Sequence, residues 1–232
     1  MTKIVVTGGT GRFATVLKKH KTKHELFYPT KNELDILDYK KIISYLKKFR
    51  PKILIHLAGL SRPMNIHQAN INKSIDLNII GTSNITKACS DLKIKLIYFS
   101  TNYVYPGLKG NYTEVDPVKP FNNYAWSKLG GEAAVHLYKN SLILRVSMTE
   151  EPFIHKKAFK NVISNFLYHS EVVKILFKLL RKKGIINVGG KKRSIYDFAK
   201  EQNIRVKKIN MKKNTLPKNS SMNLDKLRKM IR

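Results

Sequence analysis

Short apolar runs alternate along this chain with longer stretches in which apolar residues return every three to four positions, and the alternation itself predicts the elements. Lys3 to Val6 reads as a buried strand, and the segment from Phe13 to Lys19 opens with helical spacing. His24 to Tyr28 predicts a second strand, and Leu34 to Leu37 a very short third. Asp38 then stands as N-cap to a helix running towards Phe49, with Ile42, Ile43, Tyr45 and Leu46 at helical spacing and Pro51 ending it. Ile53 to Leu57 predicts a strand that runs into the small pair Ala58-Gly59. Asn70 to Asp91 carries one long helical pattern, and Lys95 to Phe99 is an apolar strand with Ser100-Thr101 at its carboxyl end. Residues 102 to 120, marked by Pro106-Gly107, Gly110-Asn111 and Pro117, read as a loop. A helix from about Asn122 to Tyr138 and a strand from Leu142 to Val146 follow.

Strands that alternate with helices over the first 150 residues predict an α/β protein with a Rossmann-like, doubly wound parallel sheet. In such a sheet the carboxyl ends of the strands share one edge, so the turn after the first strand, Ala58-Gly59 and Ser100-Thr101 should line one crevice. Beyond Met148 the pattern thins. Phe166 to Lys182 predicts a helix, Gly184 to Val188 a strand, Ser194 to Glu201 a helix capped by Ser194, and the tail after Ile204 is polar, basic and irregular. The expected organisation is a Rossmann-like core over 1–150 and a small C-terminal part over 151–232 packed on it.

The chemistry concentrates in two places. Gly8, Gly9, Thr10, Gly11, Arg12, Phe13 and Ala14 form a glycine-rich turn between the first strand and first helix. Glycines there let the chain reverse tightly and bring backbone N–H groups against a pyrophosphate. Tyr124 and Lys128, at i and i+4, share one helix face. A free tyrosine has a pKa of about 10, and lowering it by roughly three units takes about 4 kcal/mol of preferential stabilisation of the anion. A neighbouring ammonium and a cationic nicotinamide are suited to supply it. Thr101, at a strand end, is placed to hydrogen-bond a carbonyl while Tyr124 moves the proton; strand-end hydroxyls also commonly satisfy local backbone groups.

Around the dinucleotide, Lys31, Asp35, Ile36, Leu57, Ala58 and Gly59 are the further candidate contacts. No acidic residue ends the second strand, where a carboxylate would bind the ribose 2′-OH; Thr30, Lys31 and Arg12 occupy that region, which favours NADPH, with NADH as the alternative. Asp35 is suited to accept from the adenine amino group. His56, inside a buried strand, reads as a packed histidine, and no His/Cys/Asp/Glu group has metal-ligand spacing.

Composition changes this picture little. The 232 residues allow one substantial core, and no apolar run approaches the roughly 20 residues that span a bilayer. Met1-Thr2-Lys3 leads directly into the first strand, which leaves no room for a cleavable signal and predicts a cytoplasmic protein. The sole cysteine, Cys89, reads as a buried structural thiol. A net charge of +30 is the usual footprint of nucleic-acid binding, yet the lysines are spread through the whole chain, which argues for compositional bias and against a nucleic-acid partner.

The glycine turn, Glu33-Leu34-Asp35-Ile36, the run from Tyr98 to Tyr105, Tyr112-Thr113-Glu114, Tyr124 to Glu132, Leu144-Arg145-Val146-Ser147 and the tail from Pro217 to Leu227 together resemble the extended short-chain dehydrogenase/reductase family, within it most the dTDP-4-dehydrorhamnose reductases. The resemblance implies Thr101, Tyr124 and Lys128 as catalytic residues, Asn78 as a structural helix residue near the site, a nucleotide-linked 4-keto sugar as substrate, and a helix-mediated homodimer. Asn102, Tyr103 and His155 become candidate substrate contacts. Asn102 stands where these reductases usually carry aspartate, and Asn102-Tyr103 lacks the carboxylates of the family's dehydratases. The stretch between Arg145 and Phe166, which helps build the family's sugar-nucleotide pocket, is shortened. The expected activity is thus an NADPH-dependent reductase of a nucleotide-activated 4-keto sugar for surface polysaccharide precursors. Its alternatives are an NAD-dependent nucleotide-sugar epimerase and a non-catalytic relative acting as a binding subunit.

Overall fold

In the computed structural model, which describes residues 1–212 and 215–232, the chain forms two compact units. The first comprises Met1–Ser100, Asn123–Leu144 and Leu180–Ile185, and the second Thr101–Asn122, Arg145–Leu179 and Ile186–Arg232. The chain is therefore interleaved and not divided by a single cut near residue 150. One strand of the main sheet, Gly184–Val188, comes from beyond that point.

Most of the expected alternation is formed, chiefly by residues of the first unit: β1 (Lys3–Thr7), α1 (Arg12–Lys18), β2 (Glu25–Phe27), α2 (Tyr39–Phe49), β3 (Ile53–His56), α3 (Ile66–Ala69), α4 (Ile71–Ile75), α5 (Gly81–Asp91), β4 (Lys95–Thr101), α6 (Asn123–His136) and β5 (Ser141–Val146). The six-stranded sheet runs Gly184–Val188, β5, β4, β3, β1, β2, and β1 pairs in parallel with both β2 and β3, as β3 does with β4. The strand order reverses at β1, the place where a doubly wound sheet opens its crevice. Ile4, Val5, Val6, Leu54, Ile55, Leu96 and Ile97 are buried because helices cover both faces, which explains why these strands read as continuous apolar runs.

Three expectations are corrected. Leu34 to Leu37 is not a strand: Leu34 and Ile36 sink into the core while the backbone turns, with Leu34 N donating to Thr30 O (3.0 Å) and Leu37 N to Asp35 Oδ1 (3.0 Å). Two alternating buried residues imitated strand period. The pattern from Asn70 to Asp91 is not one regular helix, because a π-helical segment, Asp76–Ile80, separates α4 from α5. The tail after Ile204 is not wholly irregular. Lys207–Ile209 pairs in parallel with Lys157–Phe159, and Asp225–Ile231 is helical.

The remaining local signals hold. Asp38 accepts from Lys41 N (3.0 Å) and Ser194 from Asp197 N (3.0 Å), each capping the helix it precedes. The second unit gathers Phe153, Val162, Tyr168, Ile195, Phe198 and Val206 into its own core, to which α8 (Ile195–Lys200) contributes Ile195 and Phe198, while α7 (His169–Leu179) and α9 (Asp225–Ile231) pack on each other. Among the described residues no helix is long and apolar enough to cross a membrane.

Two glycines let α6 lie against the π segment. A Cβ on Gly131 would sit 2.5 Å from Asn78 O and 2.7 Å from the Tyr98 hydroxyl, and one on Gly130 would sit 2.8 Å from Ile79 Cδ1. Gly131→Ala is therefore expected to lower the unfolding free energy by about 1–3 kcal/mol, the usual cost of overpacking; chemical denaturation of the two proteins measures it.

Candidate functional site

The glycine turn packs closely against the strand ends beside it. Gly11 N donates to Gly8 O (2.9 Å), closing the reversal, and Gly8 has φ +70°, a conformation costly for any residue with a Cβ. A Cβ on Gly8 would stand 2.6 Å from Ala58 N, and one on Gly9 would stand 2.9 Å from Tyr28 Cβ. The turn thus fits between the ends of β3 and β2. Thr10, Gly11 and Arg12 are exposed on it, whereas Phe13 turns inward, its ring 4.9 Å from that of Phe99. Phe13 packs the helix onto the sheet.

At the end of β2 the local charge differs from the expectation. The turn through residues 31–33 folds Glu33 back, so its carboxylate accepts from Thr30 N (2.8 Å) and Thr30 Oγ1 (2.9 Å), and Lys31 Nζ lies 3.7 Å from Asp35 Oδ2. A carboxylate does stand beside Thr30. Ile36 is buried against Gly81, and its carbonyl accepts from Asn84 Nδ2 (3.0 Å).

Beyond β3, Leu57 and Ala58 are half-buried, Ala58 N donates to Thr7 Oγ1 (3.2 Å), and Gly59 adopts φ +153° beside Asn78. The π segment turns Asn78 inward, where it is 1% exposed. Its Oδ1 accepts from Leu60 N (2.7 Å), while Nδ2 donates to Leu60 O (2.9 Å) and to Ser127 Oγ (2.8 Å). One amide side chain therefore fastens the loop after β3 to the helix that carries Tyr124 and Lys128. Tyr124 lies near the start of α6, its ring 5.2 Å from that of His67.

Lys128 Nζ lies 4.1 Å over the Tyr98 ring, and the Tyr98 hydroxyl donates to Lys128 O (3.0 Å). Burial pulls the Lys128 ammonium down to about 7, opposed by the carboxylate of Glu132. Burial, with the charges of Glu132 and Tyr124, holds the Tyr98 phenol well above its ordinary range, so Tyr98 stays neutral. Ser100 Oγ donates to Glu132 Oε2 (2.6 Å), and both residues are buried. Sequence reasoning missed this polar layer under α6. Its available signal was the repeat Tyr124, Lys128, Glu132, three titratable residues one helical turn apart.

His56 sits in the same layer as the packed histidine expected. Its Nδ1 is 2.8 Å from Thr7 Oγ1 and its Nε2 3.1 Å from Thr82 Oγ1. Burial lowers it to about 3. Cys89 is buried and free, and burial raises its thiol.

In the second unit Thr101 accepts from Tyr103 N (3.2 Å), and its hydroxyl lies 3.5 Å from Asn102 Oδ1. Asn102 is tied into a buried polar cluster, with Nδ2 donating to Ser220 Oγ (2.9 Å) and lying 3.4 Å from Ser164 Oγ, which is itself 2.9 Å from Ser147 Oγ. The amide thus organises the unit's interior. Tyr103 is half-buried in a short 3₁₀ turn, and its carbonyl accepts from Phe121 N (3.1 Å). His155 is exposed, edge-on to Phe153 at 5.4 Å. Among the described residues no group of His, Cys, Asp and Glu is arranged to hold a metal ion.

Residues 1–178 match the family described as RmlD substrate binding domain. The chain belongs to this family, of the extended short-chain dehydrogenase/reductase kind that its motifs resemble. It is 27% identical over 195 residues to the dTDP-4-dehydrorhamnose reductase of Aggregatibacter actinomycetemcomitans, covering 81% of this chain and 60% of that protein. It is also 27% identical over 142 residues to the methionine adenosyltransferase 2 subunit beta of Rattus norvegicus, covering 57% of this chain and 42% of the relative. The chain thus spans less than two thirds of the length of either relative. The fold matches the crystal structure of dTDP-4-dehydrorhamnose reductase from Bacillus anthracis in complex with NADP, with a TM-score of 0.87, 22% identity and coverage of 98% of this chain and 91% of that one.

Because His56 is depressed to about 3 in the fold and regains an ordinary value near 6.5 when unfolded, the unfolded chain takes up the proton first as pH falls. The stability it leaves intact above pH 6.5 is lost as pH drops from there towards 3, at up to about 1.4 kcal/mol per unit. Urea titrations across that window should show a shallower slope in His56→Gln than in the parent.

Proposed function

We propose that this chain is an NADPH-dependent reductase of a nucleotide-activated 4-keto sugar, acting in the cytoplasm in the supply of surface polysaccharide precursors. The carrying observation is the glycine turn, closed by the bond from Gly11 N to Gly8 O with Thr10, Gly11 and Arg12 exposed on it, in a unit whose helix α6 bears Tyr124 and Lys128 over a buried polar layer. Family membership and the fold likeness to a reductase solved with NADP support the same reading.

The turn fits a dinucleotide, because Gly8 and Gly9 seat it against Ala58 and Tyr28, where a Cβ would clash, and a tight strand-to-helix turn of this kind brings backbone N–H groups to a pyrophosphate. Bound nicotinamide dinucleotide supplies the hydride for the carbonyl carbon. Gly8, Gly9, Thr10 and Gly11 hold the pyrophosphate, with Leu57, Ala58 and Gly59 along the neighbouring strand end. Arg12 and Lys31 would meet the 2′-phosphate and Asp35 the adenine, while the side chain of Ile36, expected beside the adenine, is packed into the core against Gly81. Lys128 holds the nicotinamide ribose and favours the phenolate. Thr101 orients the keto oxygen, and Tyr124 gives that oxygen its proton as the carbonyl becomes an alcohol. Asn102, Tyr103 and His155 are the proposed sugar-nucleotide contacts. Glu33, folded onto Thr30, is consistent with some use of NADH.

Tyr124→Phe should lower kcat for NADPH oxidation with a 4-keto nucleotide sugar by about 100-fold or more, the scale of a lost general acid, while the dissociation constant for NADPH stays within about twofold. Absorbance loss and fluorescence titration measure the two. Arg12→Ala should weaken NADPH by roughly tenfold, as expected for one charge-assisted contact, and leave NADH unchanged.

A second reading, a non-catalytic binding subunit, draws support from the likeness to a protein named as a subunit. On that reading Tyr124→Phe leaves the biological activity unchanged.

A further inference from the structure

We propose that Glu132, oriented by Ser100, is a positioning residue whose buried carboxylate holds Lys128 in its protonated form. The inference rests on the reading of Tyr124 and Lys128 given above, and it deepens that reading by assigning the source of the charge.

Glu132 follows Lys128 by one helical turn on α6, so the two side chains leave the same face. That face meets β4, where Tyr98 and Ser100 point to the same side of the sheet, two residues apart along the strand. Glu132 is 3% exposed and Ser100 6% exposed, and the 2.6 Å bond from Ser100 Oγ to Glu132 Oε2 fixes where the carboxylate stands. A carboxylate so deeply buried is costly unless a hydrogen bond or an opposite charge compensates it. The bond from Ser100 supplies part of that compensation, and Lys128, one helical turn away on the same face with its ammonium over the Tyr98 ring, brings an opposite charge to the same layer.

Among the described residues, the other titratable groups packed around Lys128 give no negative charge. On β4, Tyr98 is neutral. On β3, His56 is held neutral by burial, and the charge of Lys128 lowers it further. On the π segment the residue facing α6 is Asn78, an amide. Tyr124, on the helix itself, is the group Lys128 serves. Glu132 is therefore the carboxylate that opposes the desolvation of Lys128.

The test follows the Lys128 side chain directly. In protein carrying 13C- and 15N-labelled lysine, the Lys128 signal is identified as the one missing from Lys128→Arg, and its titration is compared in the parent, Glu132→Gln and Ser100→Ala. The expected result is a midpoint that falls by about one pH unit or more in Glu132→Gln and by a smaller amount in Ser100→Ala, with Glu132→Asp restoring part of the shift. If the protein turns over, the alkaline limb of kcat moves to lower pH by the same amount, because neutral Lys128 no longer favours the phenolate, while KM for NADPH changes less than kcat. A Lys128 midpoint that stays within about 0.3 units in folded Glu132→Gln, or in folded Ser100→Ala and Glu132→Asp should Glu132→Gln not fold, overturns the proposal. Absence of turnover in the parent counts against the reductase reading alone, since the titration needs no substrate.

Discussion

The inward turn of Asn78 is the constraint on which the first unit's candidate site depends. An α-helical backbone continuing unbroken from α4 into α5 would carry residue 78 on a different bearing; the extra residue of the π segment turns its amide into the interior. There one side chain satisfies both backbone groups of Leu60 and a hydroxyl on α6. A buried amide with all these bonds made is stabilising and specific, whereas a half-satisfied one would be worse than an apolar residue. Gly59, Gly130 and Gly131 are the steric counterpart of this clamp, since a Cβ at each would strike Asn78 or its π-segment neighbour Ile79.

Beneath α6 the same economy of space produces unusual electrostatics. Tyr98, Glu132, Ser100 and His56 are buried there and the half-buried Lys128 lies against them, so each charge is set by its neighbours. Burial pushes the lysine down and the tyrosine up, and the carboxylate works against the first shift and with the second. In the second unit buried polarity takes another form. Asn102, Ser147, Ser164 and Ser220 bind one another without any charge, and Arg145 lies over the Tyr105 ring with Nη1 2.9 Å from its hydroxyl.

The charge excess plays little part in this. The lysines are distributed through the sequence, and the groups that give the candidate site its character are buried and few. Where cations do stand near the proposed dinucleotide, at Arg12 and Lys31, acidic residues stand nearby as well: Asp35 pairs with Lys31, and Glu33 folds onto Thr30. A carboxylate three residues along the chain arrived at the end of β2 because a turn returned it there, which residue order alone does not reveal.

What the sequence by itself determined was everything governed by local period and local chemistry. The buried strands were legible because both sheet faces are covered, so their residues are uniformly apolar. The caps at Asp38 and Ser194 were legible because a short oxygen-bearing side chain before a helix has one obvious use. The glycine turn and the Tyr124, Lys128 pair were legible because tight reversal and i, i+4 geometry are properties of adjacent residues. Tertiary structure alone decided whatever depends on residues distant in the chain: that Leu34 and Ile36 are core residues on a turn, that the π segment interrupts a regular pattern to aim Asn78, that Ser100 meets Glu132 across 32 positions, and that Asn102 is held by Ser220 across 118. Hydrogen bonds between such residues exist only once packing has excluded water and fixed both partners, and no period in the sequence encodes them.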